Sequence, residues 1–314
     1  MNLYNKKINK ISIIVLHLGF GGVENSICSL ANMLCDYYDI EIISIYKLLD
    51  KPAFELNPKV NIKYLIKDLA PNKKELKNAL KSMNIIKIIK EIIISIKILF
   101  LKKYKLIKEI KKINSDIIIT TRHPHNKLSG KYGKKNIIKI AQEHNHHNNN
   151  YKYINKLLKS LKNINYLIPV SKELTEFYNN LLKNRKTKVI YIPHVLDIFP
   201  NTPSNLISQN IISIGRLSKE KGFLDLIKVF KKIYIKNKNC KLRIVGDGIE
   251  KDSLNSIISK ENLSNNIELC GFKSKEEISK LMFDSSLYIM TSYTESFGLV
   301  LIEALSYRCA CPSF

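Results

Sequence analysis

Short apolar runs alternate with longer stretches of helical spacing along the whole chain. In the first half the strand-like runs are Ile11–Leu18, Ile40–Tyr46, Val60–Ile66, Asp116–Thr120, Ile137–Ala141, Tyr166–Val170 and Lys188–Ile192. Continuous apolar runs of this kind mark strands covered on both faces. Gly19-Phe20-Gly21-Gly22 follows the first run and leads into a helical pattern from Val23 to Tyr37. After the polar, proline-bearing stretch Asn201-Thr202-Pro203-Ser204-Asn205 the alternation restarts. Ile211–Gly215, Lys241–Gly246, Ile267–Gly271 and Leu287–Thr291 read as strands, with helices opening near Phe223, Glu250, Lys275 and Gly298. Such alternation predicts parallel sheets with right-handed crossovers. The expected fold is α/β: two Rossmann-like doubly wound parallel-sheet domains, residues 1–200 and 201–314. In these sheets ligands bind beyond the carboxyl ends of the strands, so the loops that follow strands are where chemistry is sought.

The stretch 77–112 differs. Its spacing predicts one long helix, basic on one side and rich in Ile, Leu and Phe on the other. Lys87, Lys90, Glu91 and Lys97 interrupt the apolar run. At about 2.5–3.5 kcal/mol per central charge, they argue against a transmembrane span. Two readings stay open: an interfacial helix on anionic lipid, or a core helix pair with solvated lysine faces. The N-terminus begins basic and turns apolar over Ile11–Leu18, but it ends in a glycine loop without a small-residue cleavage site. It therefore reads as a buried first strand and not as a signal peptide.

Composition narrows the partners. The 314 residues suit two domains, and 45% apolar with 25% charged residues excludes wholesale disorder. The formal net charge is +25 and the 52 basic residues include only five Arg. Heavy Ile and Asn use points to a compositional bias as well as a selected field. Charge of this sign suits an anionic membrane, a phosphorylated ligand or nucleic acid. The nucleic-acid reading rests on charge alone, because no recognition motif, Arg-rich surface or stacking aromatic signature accompanies it. The six Cys form no regular framework and read as free thiols in a reducing cytosol. No metal site is expected: Cys309-Ala310-Cys311 has the wrong spacing, and His144-x-His146-His147 lacks a helical spacing or a carboxylate partner.

The strongest constellation lies in the second half. Gly215-Arg216-Leu217 closes a strand, and Ser218-Lys219-Glu220-Lys221-Gly222 enters a helix. Arg216 and Lys221 then stand at the sheet's carboxyl edge, a fork and a point charge suited to a diphosphate. Further on, a strand runs into Tyr293-Thr294-Glu295-Ser296-Phe297-Gly298-Leu299, where an apolar helix begins. Helix-start N–H groups at Phe297, Gly298 and Leu299 favour an anion. Glu303 sits inside that apolar helix, where a carboxylate must find a partner: a lysine, the backbone, or ribose hydroxyls. Glu295, on the preceding loop, is placed to meet sugar hydroxyls or developing positive charge.

G-R-L-x-x-x-K-G followed by E-x7-E, with S-F-G-L between the two Glu, resembles the retaining glycosyltransferases of family 4, which have the GT-B fold. Gly21-Gly22-Val23-Glu24 is similar to that family's GG-x-E loop, Val245-Gly246-Asp247-Gly248 to its V-G-x-G strand end, and Gly271-Phe272 to the turn near the donor base. The resemblance implies a nucleotide-sugar donor, UDP-linked, bound in a cleft without a required metal or other cofactor. It assigns the diphosphate to Arg216 and Lys221, the ribose to Glu303, and the donor sugar to Glu295, with Gly21-Gly22 approaching phosphates or acceptor. The family also places a His in the cleft from a strand end of the first domain. His123 in Arg122-His123-Pro124-His125 and His144 in Gln142-Glu143-His144 are the two candidates, while His17, inside the first strand, reads as structural.

The expected activity is transfer of a hexose or N-acetylhexosamine to a lipid-linked or envelope-polysaccharide acceptor. The expected place is the cytoplasm, peripheral on the inner face of the plasma membrane through 77–112, with no nucleic-acid partner. Rival readings are a GT-B nucleotide-sugar epimerase, for which no extra acid–base pair stands out, and an inactive nucleotide-sugar-binding partner. The second is suggested by departures from the family pattern. Arg308 stands where the family has Gly and Ala310 where it has Pro, Pro312 falls in a strand, and family members continue past the point corresponding to Phe314. On that comparison the second domain is expected to be incomplete.

Overall fold

A computed structural model of the chain describes residues 7–193, 204, 206–295 and 297–312 and, of Lys74, the backbone alone. The expected linker 201–205 lies outside the described residues except for Ser204, and so does Ser296 of the Glu295 loop. Ser204 is buried, its N–H donating to the Tyr307 carbonyl (2.9 Å) and its hydroxyl to that of Ser285 (2.7 Å). The chain divides into two compact units, Met1–His194 and Val195–Phe314.

Unit 1 runs β1 (Lys10–Val15), α1 (Gly22–Leu34), β2 (Asp39–Tyr46), β3 (Asn61–Ile66), α2 (Lys73–Lys81), α3 (Ile85–Lys112), β4 (Ile117–Thr120), α4 (His123–Tyr132), β5 (Ile138–Glu143), α5 (Tyr151–Ser160), β6 (Tyr166–Pro169), α6 (Lys172–Leu182) and β7 (Lys188–Val189). The seven strands are parallel in the order β3-β2-β1-β4-β5-β6-β7. β1 is central, with Ile11 opposite both Ile40 and Ile117. Its alternate residues serve two cores. Ile11, Ile13 and Val15 pack with Ile27 and Ala31 of α1. Ile14 packs on the other face with Ile98, Leu106 and Ile110 of α3. Each such side chain contributes roughly 1.5–3 kcal/mol of burial. This two-sided cover is why the strands read as unbroken apolar runs.

Unit 2 runs β8 (Asn210–Ile214), a 3-10 turn (Lys219–Lys221), α7 (Phe223–Lys236), β9 (Lys241–Val245), α8 (Lys251–Lys260), β10 (Ile267–Gly271), α9 (Lys275–Phe283), β11 (Leu287–Tyr288) and α10 (Leu299–Ser306). Its strands are parallel in the order β10-β9-β8-β11. The first four strands of unit 1 have the same relative order. Beyond α10, Ala310 bridges in parallel to Leu287, so the chain returns to the sheet. Arg308 makes that turn at φ +59°, a left-handed conformation that favours glycine. The position thus holds a long side chain in a conformation that glycine adopts most readily.

Three expectations need correction. The helix predicted over 77–112 is two helices. Met83 breaks it at φ +52°, and Asn84 starts α3 by accepting the Lys87 N–H on its side chain. Asn is a strong N-cap former, and here it overrides the apolar spacing on either side. β5 runs two residues past the predicted end, to Glu143. β7 and β11 pair over two residues each and are shorter than their apolar runs.

His125 is the most isolated polar group of unit 1. It is completely buried, and neither ring nitrogen meets a hydrogen-bond partner of ordinary geometry. Burial first, then the charges of Lys102 and Arg122, push its pKa from 6.5 down to about 3; the smallest influence, the Ile14 backbone, pulls upward. The unfolded chain takes up this proton below about pH 6.5 and the folded chain only near pH 3. Stability from this group is therefore full above pH 6.5 and falls as pH drops through that window, by up to about 1.4 kcal/mol per pH unit. Urea midpoints at pH 7 and pH 5 are expected to differ by less in His125→Leu than in the native chain. Equal pH dependence in both would remove His125 as its cause.

Candidate active site

In a doubly wound sheet the strand order reverses at one point, and the loops beside that point form a crevice. In unit 2 the reversal lies between β8 and β11. The loop after β8 is built by close backbone approach. A Cβ on Gly246, at φ +142°, would fall 1.9 Å from the Gly215 carbonyl oxygen. Leu217 N–H donates to the Asp247 carbonyl (3.0 Å), and Glu250 N–H donates to that of Leu217 (3.0 Å). The V-G-x-G segment therefore clamps the G-R-L loop.

The 3-10 turn ends at Gly222, at φ +65°, where a Cβ would lie 2.1 Å from the Thr291 carbonyl oxygen. Thr291 Oγ1 donates to the Lys221 carbonyl (3.1 Å), and Tyr293 N–H to that of Glu220 (2.9 Å). These contacts lock the loop after β8 to the loop after β11. Their result is a direct ion pair between Lys221 Nζ and Glu295 Oε1, on which Ser292 Oγ also donates (2.9 Å).

The other candidates of this unit surround the same edge. Arg216 is exposed. The Ser218 hydroxyl, a backbone N–H, and the charges of Arg216 and Lys221 hold the Glu220 carboxyl below its ordinary range. Gly298 is the N-cap of α10 and supplies no side-chain acceptor for the first N–H groups of that helix. Phe297 and Glu303 are half-buried, and both are engaged in interactions.

In unit 1 the reversal lies between β1 and β4. Gly21 is the N-cap of α1, and a Cβ there would fall 2.2 Å from Glu24 Oε2, so the Glu24 carboxylate folds over the helix start while Gly22 borders open space. Glu24 is buried, 3.6 Å from His17 Nδ1 and 3.9 Å from Arg122 Nη2. His17 Nδ1 accepts the Gly19 N–H (3.2 Å), which leaves the ring proton on Nε2. Burial lowers its pKa, against Glu24 and with Arg122.

The ends of β4 and β5 hold the histidine candidates. His123 Nε2 is 3.0 Å from Glu143 Oε2. Glu143 is buried, and its Oε1 accepts Tyr153 O–H (2.6 Å) and Asn145 N–H (3.0 Å). His144 turns instead toward Gln142, with Nε2 3.3 Å from Oε1. His147 stacks between His146 and Phe177. Among the described residues no group of three or more His, Cys, Asp or Glu side chains is arranged to hold a metal. Sequence reasoning missed Glu143, Tyr153 and the pairing of Glu24. The signal for Glu143 was its phase: it follows the buried positions Lys139 and Ala141 at a spacing of two.

Residues 197–311 match the family described as glycosyl transferases group 1. The match lies within the C-terminal unit. An uncharacterised glycosyltransferase of Methanocaldococcus jannaschii is 36% identical over 148 residues, 43% of this chain and 35% of the relative. An N-acetylgalactosamine-N,N'-diacetylbacillosaminyl-diphospho-undecaprenol 4-alpha-N-acetylgalactosaminyltransferase of Campylobacter jejuni is 26% identical over 316 residues, 96% of this chain and 80% of the relative. The chain spans about a third of the length of the first curated relatives it matches, 35% and 31%. Among solved structures, S. aureus TarM in complex with fondaparinux, alpha-GlcNAc-glycerol and UDP aligns with a TM-score of 0.75 at 14% identity, over 97% of this chain and 85% of TarM. That likeness shows the fold, which is GT-B: two Rossmann-like domains in one chain.

The loop lock gives a direct test of this glycosyltransferase-family unit. Gly222→Ala forces a Cβ against a carbonyl at a left-handed φ and is expected to lower unfolding stability by about 2 kcal/mol or more. Gly22→Ala, in open space at the first turn of α1, is expected to be neutral or stabilising by about 0.5 kcal/mol. Chemical denaturation of both variants checks the contrast. A Gly222→Ala chain as stable as the native one would show that the two loops are not held by this contact.

Proposed function

We propose that the protein is a retaining glycosyltransferase. It moves a hexose or N-acetylhexosamine from a UDP-linked sugar to a lipid-linked or envelope-polysaccharide acceptor. The observation that carries this reading is the Lys221–Glu295 pair beside the start of α10, at the strand-order reversal of the unit that matches the family. A cation, a carboxylate and a row of helix-start amides in one place suit a sugar joined to a diphosphate. Lys221 and Arg216 take the diphosphate together with the amides at Phe297, Gly298 and Leu299. Glu303 takes the ribose, and Glu295, released from Lys221 by the incoming phosphate, takes the donor sugar. Charge at the leaving diphosphate and fixed placement of the sugar supply the catalysis. In unit 1, Gly21-Gly22, His123 and His144 serve the acceptor. The acceptor class is supported by the diphospho-undecaprenol substrate named for the Campylobacter relative, and the UDP donor by the ligand named for TarM.

The donor site is tested by calorimetric titration with UDP. Glu303→Gln is expected to weaken binding about tenfold, near 1.4 kcal/mol. Glu295→Gln is expected to keep or improve UDP affinity, because Lys221 is freed, while transfer falls. Unchanged UDP affinity in Glu303→Gln would sink the ribose role.

We further infer that α3 meets anionic lipid at the inner face of the plasma membrane. No helix among the described residues is long and apolar enough to cross a membrane. Yet α3 buries only one side, at Ile98, Leu106 and Ile110, and leaves Ile85, Ile86, Ile89, Ile93, Ile96 and Phe100 at least half exposed. Their spacing of three, four and seven makes a continuous apolar stripe, flanked by exposed Lys90 and Lys97. Vesicles containing phosphatidylglycerol are expected to bind the chain more than phosphatidylcholine vesicles, and salt is expected to weaken that binding. Equal binding to both, or none, would leave the stripe without a lipid partner.

A further inference from the structure

Glu143 ends β5 as a buried carboxylate with donors on both oxygens. On Oε1 they are a backbone N–H, from Asn145, and the Tyr153 phenol. Burial, and then the charge and hydrogen bond of Glu143, push the Tyr153 pKa upward, which keeps the phenol protonated as a donor. The other oxygen, Oε2, faces His123 Nε2 at 3.0 Å. An ionised carboxylate only accepts, so Nε2 must carry the ring proton. The ring is also held edge-on by Tyr153, with centroids 4.6 Å apart. One nitrogen of His123 is thereby committed to the interior, and Nδ1 is left with its lone pair. His123 is the first residue of α4, at the carboxyl edge of the sheet and one-fifth exposed.

We propose that Glu143 is a positioning residue: with Tyr153 and Asn145 behind it, it fixes His123 in the Nε2–H tautomer so that Nδ1 accepts a hydrogen bond from a sugar hydroxyl. The proposal rests on the glycosyltransferase reading for the identity of the hydroxyl, and on geometry alone for the tautomer. It makes no use of proton transfer. Its specificity consequence is that the hydroxyl donates to the ring and does not accept from it, so a sugar lacking that hydroxyl loses the contact.

Glu143→Gln provides an inversion test. The Asn145 N–H can only donate, so the amide oxygen of Gln must take its place on that side. The amide NH2 then points at His123 Nε2, which must become an acceptor, and the ring proton moves to Nδ1. Nitrogen NMR of the full chain is expected to show His123 with Nε2 protonated in the native protein and Nδ1 protonated in Glu143→Gln. Tyr153→Phe, which leaves the Asn145 donor in place, is expected to keep the native tautomer. Transfer by Glu143→Gln is expected to fall roughly tenfold, the worth of one hydrogen bond, with UDP affinity unchanged.

A native ring protonated on Nδ1, or a Glu143→Gln ring that keeps Nε2–H, overturns the positioning role. A Glu143→Gln chain with the inverted tautomer and native transfer overturns the link to the sugar. If the native chain transfers no sugar, the function fails, and the native ring tautomer still decides the positioning. If Glu143→Gln does not fold, the native and Tyr153→Phe spectra decide it.

Discussion

Lys221 and Glu295 stand 74 residues apart in sequence, and they meet because β8 and β11 are neighbours in a parallel sheet. The order β10-β9-β8-β11 sends successive strands outward from β8 in one direction and then starts again on its other side. At that reversal the two outgoing loops face each other with no crossover between them. Glycine makes the final approach. At Gly222 the backbone passes so near the Thr291 carbonyl that any side chain would collide with it. The charged pair is therefore a consequence of topology and of one missing Cβ.

A repeated electrostatic pattern follows. In a chain of formal charge +25, three carboxylates at a strand end or in the segment that follows one each face a base. Glu24 lies between His17 and Arg122, Glu143 against His123, and Glu295 on Lys221. The first two are buried and the third is about a quarter exposed. The buried acids hold histidine rings or an arginine in place. The pair of unit 2 is the more open to solvent. The units thus share a strand order and differ in how far these carboxylates are buried.

Much of this was legible in the sequence. Strand–helix alternation and two-sided apolar runs foretold both parallel sheets, and the Lys221 and Glu295 singled out in the sequence meet in the structure as an ion pair. What was not legible depends on three-dimensional neighbours. Asn84 reads as one polar residue in a helical run, and only its cap geometry, with Met83 in a left-handed conformation, makes two helices of that run. Glu143 sat next to three histidines and was passed over, because strand length decides whether it is a loop residue or a buried one. The exposed apolar stripe of α3 could not be told from a core face by periodicity, since a helix packed on a core and one left uncovered show the same apolar spacing. Gly246 read only as part of a strand-end motif, and its role as a backbone packing site needs the neighbouring strand to be seen.

The most direct measurement is a crystal structure of the chain with UDP. The account predicts that the diphosphate lies between Lys221 and the first amides of α10, with Glu295 released from Lys221 and the ribose against Glu303. A nucleotide bound elsewhere, or bound with the Lys221–Glu295 pair intact, would contradict it.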